Sequence, residues 1–275
     1  MLQSFIRHST SEGTLKTLRT LFAIGIHVLA METAVQAMDD PIYLFGDDAK
    51  KVLDSLEDAK SDDFFHMGVL AHNLSFSLKN AKMTDRAKEY FSLVRLKGGY
   101  TDTLSVYECL LVLLSIRDQN IFKKGGSFIG GIVGLVDSPE DAAREAFKCL
   151  SREIGKNPDN LTFHFLRATA AVEAADLLPD LLPVANEDLI EIAYLLAHQP
   201  DVDSSHQFFF SLISAKYRYR LAKSHTGRVW DARRLLLDAH ECMRHVELLA
   251  RGKWQKKEVP LWNGRIEELF RELDD

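Results

Sequence analysis

The stretch that decides the fold is 138-SPEDAAREAFKCLSREIGKNPDNLTFHFLRATAAVEAADLL-178, which contains two helical patterns in succession. Ser138 followed by Pro139 and two acids predicts a helix start, because a serine side chain caps the first turn and acids favour its positive end. Apolar residues then recur at helical spacing up to Ile154, and Asn157-Pro158 predicts the end of that helix.

The second pattern, residues 161–178 with Asn160 as its cap, is apolar at twelve of eighteen positions. That is too many for one stripe, so neighbouring elements should cover this helix on more than one side. His164 and Arg167 interrupt the apolar surface, and a buried arginine rarely lacks a partner. Arg167 therefore either meets a carboxylate inside the fold or lines a groove for an anionic ligand, and both residues are candidate partner-binding positions.

Helical periodicity extends over nearly the whole chain, and alternating strand patterns are absent, so the predicted class is all-α. The composition, 46% apolar and 27% charged, is ordinary for a soluble globular protein. Three widely separated cysteines (Cys109, Cys149 and Cys242) favour buried thiols in a reducing compartment over a disulfide framework. No cofactor motif is present, and the predicted location is cytoplasmic.

One helical pattern recurs with an alanine beside a basic residue and apolar residues four and seven positions later: Asp47-x-Ala49-Lys50, Asp85-x-Ala87-Lys88, Asp141-x-Ala143-Arg144 and Ala232-Arg233. This pattern resembles the second helix of a tetratricopeptide repeat, and Phe64-x-x-Met67-Gly68-x-x-Ala71 is similar to the first. The intervals between the alanines are 38, 56 and 89 residues, so the repeat is irregular. The resemblance implies a superhelix of about ten or more antiparallel helices whose concave face binds peptides.

Three regions are predicted along the chain. Residues 1–40 form an N-terminal helix, although residues 1–37 also have features of a mitochondrial or export signal. Residues 41–178 form the helical-repeat region, and 184–275 a basic C-terminal helical region packed on it, with Leu178 to Pro183 as the linker.

The net charge of −6 conceals a strong asymmetry. Residues 216–257 hold twelve Lys or Arg against four acids, a net charge of +8, whereas the remainder carries −14. A stripe that changes from apolar to basic predicts a site for an acidic protein segment: Phe209, Leu212, Lys216, Arg220, Lys223 and Arg228. The alternatives are that this charge complements the acidic parts of the same chain, or that region 216–257 binds nucleic acid.

Two further features have competing interpretations. Asp238, Cys242 and His245 fall on one side of a helix and are a weak candidate metal site, which would make the chain a small helical enzyme or metal-binding protein. Glycines recur every fourth residue within 125–136, which predicts a packed loop rather than a lid or a membrane contact.

No transmembrane span is predicted. The favoured function is a protein-interaction or scaffold role without catalysis.

Overall fold

The computed structural model describes residues 43–99, 101–117, 138–199 and 203–274, and the all-α prediction is confirmed for these residues. They form ten α-helices and no strand: α1 Gly46–Asp58, α2 Phe64–Leu78, α3 Ala81–Leu96, α4 Asp102–Arg117, α5 Pro139–Lys156, α6 Leu161–Ala174, α7 Leu182–His198, α8 Ser204–Ser224, α9 Val229–Leu249 and α10 Lys253–Glu272. None of these helices is long and apolar enough to cross a membrane. The predictions made for residues 1–40 and 125–136 lie outside the described residues.

Capping residues set most of the helix starts, as the sequence indicates. The Ser138 hydroxyl accepts a hydrogen bond from the Asp141 amide at 3.1 Å, and Asn160 caps α6 by accepting from the Phe163 amide at 3.2 Å. Asn80 caps α3 by accepting a hydrogen bond from the Lys82 amide at 3.1 Å, and Thr84 is buried within the helix.

The C-terminal helix is longer than its sequence suggests. The sequence pattern predicts only a short final helix, from Leu261 to Leu273. Instead, α10 begins at Lys253 and continues through Pro260. The hydrogen bond lost at Pro260 is offset by burial on both sides of it, where Trp254 is 8% and Trp262 2% exposed.

The predicted linker between residues 178 and 183 is short and partly helical. Helix α6 ends at Ala174, and residues Pro179–Leu181 form a 3-10 turn that leads directly into α7. Pro183 lies in the first turn of α7, where its missing amide hydrogen costs no helical bond. Helices α6 and α7 consequently pack on each other.

The recurrent alanines lie at helix contacts. Ala49, Ala87, Ala143 and Ala232 are each at most 1% exposed. In the α2–α3 pair, Gly68 faces Phe91 so closely that a Cβ atom at position 68 would overlap the ring. Small residues therefore allow close approach of consecutive helices, whereas the superhelical arrangement implied by the repeat resemblance stays a prediction.

The first and last described helices also meet. Helix α1 packs against α10, and the Asp47 carboxylate lies 3.9 Å from the Lys257 ammonium group. An acidic part of the chain is therefore next to a basic part, as one of the charge alternatives predicted.

The cysteine prediction is wrong for two of the three thiols. Cys109 on α4 and Cys149 on α5 form a disulfide, with their Cα atoms 6.1 Å apart, whereas Cys242 is free. Forty residues separate the two half-cystines, so sequence spacing could not indicate that the helices carrying them are neighbours. Because disulfides persist mainly in oxidising compartments, these two cysteines no longer support the predicted cytoplasmic location.

Candidate binding groove

A cavity of about 520 Å³ opens among helices α2, α4, α6, α8 and α10, and we call it the groove. This volume lies within the range of protein sites that bind small molecules or the side chains of a peptide. Its lining combines apolar residues on every one of these helices with charged residues that are concentrated on α8 and α10.

Aromatic rings form one wall of the groove. The ring centroids of Phe45 and Trp254 are 4.7 Å apart in a stacked arrangement, and Phe209 lies 5.2 Å from Phe45. Gly46 makes the contact between Phe45 and α10 possible: its φ of +56° suits glycine, and a Cβ atom there would lie 3.0 Å from that of Trp254.

Two hydrogen bonds from α2 fix the backbone of this wall. The Gly46 amide donates to the Ser77 hydroxyl at 3.0 Å, and the Asn73 side-chain amide donates to the Leu44 carbonyl at 3.0 Å. The aromatic wall is thus built before any ligand arrives, which lowers the entropy cost of binding.

Charged side chains line the groove on the same helices, α8 and α10, one or two turns from the aromatic rings. Lys216 is 6% exposed, and its ammonium group donates to Glu173 at 2.9 Å and lies 3.5 Å from Glu258. It also lies 4.9 Å from the ring centroid of Trp262, whose indole N–H donates to Glu258 at 3.0 Å. Three helices are held together here by one buried cation.

The pKa values of Lys216 and Glu173 are both shifted in the direction that favours the charged form. Burial alone would lower the pKa of Lys216, but Glu173 and Glu258 outweigh it and raise the pKa. Burial would likewise raise the pKa of Glu173, yet Lys216, Arg220 and Arg265 lower it. At neutral pH the groove therefore presents fixed charges beside aromatic surface.

The remaining cations of the groove differ in how they are neutralised. Arg220 pairs with Asp176, and its Nε atom is buried without a hydrogen bond among the described residues. Arg265 stacks on Trp262, with its guanidinium carbon 4.5 Å from the ring centroid. Lys79, just after the end of α2, is exposed. Neither Arg265 nor Lys79 forms an ion pair with the described residues.

Four residues of the predicted stripe line the groove. They therefore lie inside the cavity and not on the outer surface of the protein, where the prediction placed them. Phe209, Leu212, Lys216 and Arg220 all face the cavity, and the first three are at most 7% exposed. The physical reason is that α8 packs against α6, α7, α9 and α10, so most of its circumference is covered. The other two stripe residues lie apart: Lys223 is 3.7 Å from Asp176, and Arg228 is the exposed residue before α9.

Arg167 and His164 form hydrogen bonds with other residues of the fold, and neither lines the groove. Arg167 makes two hydrogen bonds to Asp188, of 2.9 and 2.8 Å. The two ring nitrogens of His164 face Asp188 at 2.8 Å and the Pro158 carbonyl at 2.7 Å. Of the two alternatives for Arg167, the structure shows the internal carboxylate, and a role of either residue in partner binding stays a prediction.

The candidate metal ligands do not form a site. Asp238, Cys242 and His245 lie on α9, and the described residues contain no group of three His, Cys, Asp or Glu side chains that could hold a metal ion. Burial raises the pKa of the Cys242 thiol, and Asp238 and Glu241 raise it further. The protonated thiol is a poor metal ligand.

Sequence reasoning missed the contribution of α2, α4 and α10 to the groove. Trp254 and Glu258 precede the predicted start of the last helix, so they were not placed on its buried face. Arg117 ends α4 and donates to the Ser75 carbonyl at 2.9 Å, a contact across 42 residues. Glu258 and Trp262 are four residues apart, a spacing that places two side chains on the same face of a helix. This spacing was the signal that could have indicated their contact.

In comparisons with protein-family models, curated proteins and solved structures, nothing matches the chain.

Proposed function

We propose that this chain is a binding protein whose groove takes an acidic, amphipathic segment of a partner protein. The observation that carries the proposal is the juxtaposition, in one open cavity, of an aromatic wall and an excess of cations. The resemblance to tetratricopeptide repeats supports it, since such repeats bind peptides on their concave face.

The aromatic wall suits apolar anchor residues. Phe45, Phe209 and Trp254 present rigid rings, and partner segments commonly insert a few large side chains into such surfaces. Leu177 and Leu261 extend the apolar lining to the rim, where they are 40% and 47% exposed. An amphipathic helix with anchors three or four residues apart would match this arrangement.

The charges of the groove favour an acidic segment. The described lining residues include five Lys or Arg and three Asp or Glu, which leaves a net charge of +2. Glu173, Asp176 and Glu258 are already engaged by Lys216 and Arg220. Acidic side chains flanking the apolar anchors would reach Lys79 and Arg265, which have no ion-pair partner among the described residues.

A protein partner is favoured over nucleic acid because much of the basic region is neutralised within the chain. Lys216 is buried, Arg220 and Lys223 share Asp176, and Arg233 pairs with Asp274. A nucleic-acid surface needs a continuous set of cations that can reach phosphates.

Selection of peptides from a displayed library by the full-length chain tests the proposal. Leu261→Glu places a carboxylate on the groove rim, and Leu78→Glu is its matched control, since Leu78 is 48% exposed and does not line the groove. We expect peptides that combine apolar anchors with acidic flanks to bind wild type and Leu78→Glu but not Leu261→Glu. Equal enrichment on all three proteins, or enrichment without acidic residues, would contradict the proposal.

A further inference from the structure

The outer face of α9 carries three highly exposed apolar side chains. Trp230 is 87% exposed, Leu237 63% and Leu248 83%. At 100° per residue they fall within about 20° of one another, and they extend about 27 Å along the helix. Single exposed apolar residues are ordinary, but an aligned set that includes a tryptophan marks an interaction surface.

Three charged residues flank the line of apolar side chains on this face. Arg234, Glu241 and Arg244 lie within about 40° of the apolar line. The Arg244 guanidinium donates to Glu241 of the same helix at 3.0 Å. Arg234 forms no ion pair with the described residues and is exposed.

We propose that this face binds a second copy of the chain, with the two α9 helices antiparallel and Leu237 on the two-fold axis. In this register Trp230 lies opposite Arg244 of the second copy, a cation–π arrangement. Arg233, directly opposite Glu241, already pairs with Asp274 of its own chain. Glu241 therefore meets the neighbouring Arg234 of the second copy, and opposite charges are brought together. Two-fold symmetry makes each contact twice.

Charge selects this register over the other apolar alignment. If Trp230 instead faced Leu248 of the second copy, Arg234 would lie opposite Arg244 and Leu237 opposite Glu241. Like charges would then face each other twice, and a leucine would cover a carboxylate. The register centred on Leu237 avoids both conflicts, and Leu248 then lies at the edge of the contact.

Sedimentation analysis of the full-length chain over a wide concentration range tests the interface. We expect wild type to pass from monomer to dimer. Leu237→Glu should weaken dimerisation by about tenfold or more, since two carboxylates would meet on the axis. Ile190→Glu is the matched control, because Ile190 on α7 is also 63% exposed. A wild type that stays monomeric, or a Leu237→Glu protein that dimerises like Ile190→Glu, would overturn the proposal.

A charge swap tests the register. Arg234→Glu and Glu241→Arg should each weaken the dimer, and the double variant should dimerise more tightly than Glu241→Arg alone, because opposite charges at positions 234 and 241 meet again across the axis. Circular dichroism of each variant checks that the helices are retained. A double variant that dimerises no more tightly than Glu241→Arg alone would overturn the register, and neither experiment depends on ligand binding in the groove.

Discussion

Arg167 on α6 and Asp188 on α7 form a two-point ion pair, with Nε to Oδ2 at 2.9 Å and Nη2 to Oδ1 at 2.8 Å. Asp188 is fully buried, and its Oδ1 atom also bonds His164. Arg167 in turn donates to the Ser151 hydroxyl of α5 at 2.9 Å. Asp188 and Arg167 together therefore join three consecutive helices, α5, α6 and α7.

Replacing Asp188 with Asn should be strongly destabilising. The variant leaves the guanidinium group of Arg167, whose side chain is only 12% exposed, without its counter-charge, and breaking a buried ion pair in this way typically costs about 3–5 kcal/mol. Urea unfolding followed by circular dichroism measures this loss. Asp180→Asn is the control, because Asp180 also pairs with an arginine, Arg144, but on the exposed surface, so little change is expected. Similar losses in the two variants would contradict the buried role of Asp188.

The His164 contacts predict a pH-dependent stability. Burial alone would lower the pKa of His164, but the hydrogen bonds to Asp188 and Pro158 outweigh both burial and the nearby Arg167, and raise it above 6.5. Both bonds require N–H donors, so both form only with the protonated ring. The stabilisation should be complete below pH 6.5 and disappear as the pH rises through the folded-state pKa.

Unfolding free energies of wild type and His164→Gln between pH 5.5 and 8.5 check this prediction. The advantage of wild type should shrink as the pH rises. An advantage that is constant over this range would show that the ring does not change protonation there.

Gly68 and Phe91 supply a test of the helix contacts. Gly68→Ala should force Phe91 to move, at a cost of about 1–3 kcal/mol, despite the better helix propensity of alanine. Gly155→Ala is the control, since nothing lies within 4 Å of its added Cβ atom and the helix should be stabilised. The melting temperature should thus fall for Gly68→Ala and rise for Gly155→Ala. A Gly68→Ala protein that melts above wild type would refute the close approach.

The disulfide gives a simple chemical prediction. Thiol titration of the denatured, unreduced chain should detect one thiol, that of Cys242, and three after reduction. Three thiols before reduction would instead agree with the original sequence interpretation and with a reducing compartment.

Local sequence patterns predicted the helices well, but they could not show which residues far apart in the sequence come into contact. Ser138 and Asn160 act through neighbouring amides, so a short window of sequence contains the whole interaction. Lys216 meets Glu173 across 43 residues, and no periodicity shows which helices bring them together. The basic stripe was therefore recognised as unusual but placed on an open surface. The early start of α10 was missed for a different reason: Pro260 disfavours a helix locally, but burial of the tryptophans on both sides of it outweighs that preference.

The central claim, that the groove binds an acidic amphipathic segment, can be followed with the groove's own fluorescence. The chain has three tryptophans, and Trp254 and Trp262 both line the groove. A Trp230→Phe background removes the third, so any change in emission reports on the groove alone. The probe is a peptide from the wild-type selection, compared with an analogue in which every Asp and Glu is replaced by Asn or Gln.

Titration of this background with the two peptides is the most direct measurement. The acidic peptide should change the tryptophan emission and bind at least about tenfold more tightly than its neutral analogue. Lys79→Glu should weaken it, and Lys82→Glu, an exposed lysine outside the groove, should not. Unchanged emission on binding, or equal affinities for the two peptides, would contradict the proposed function.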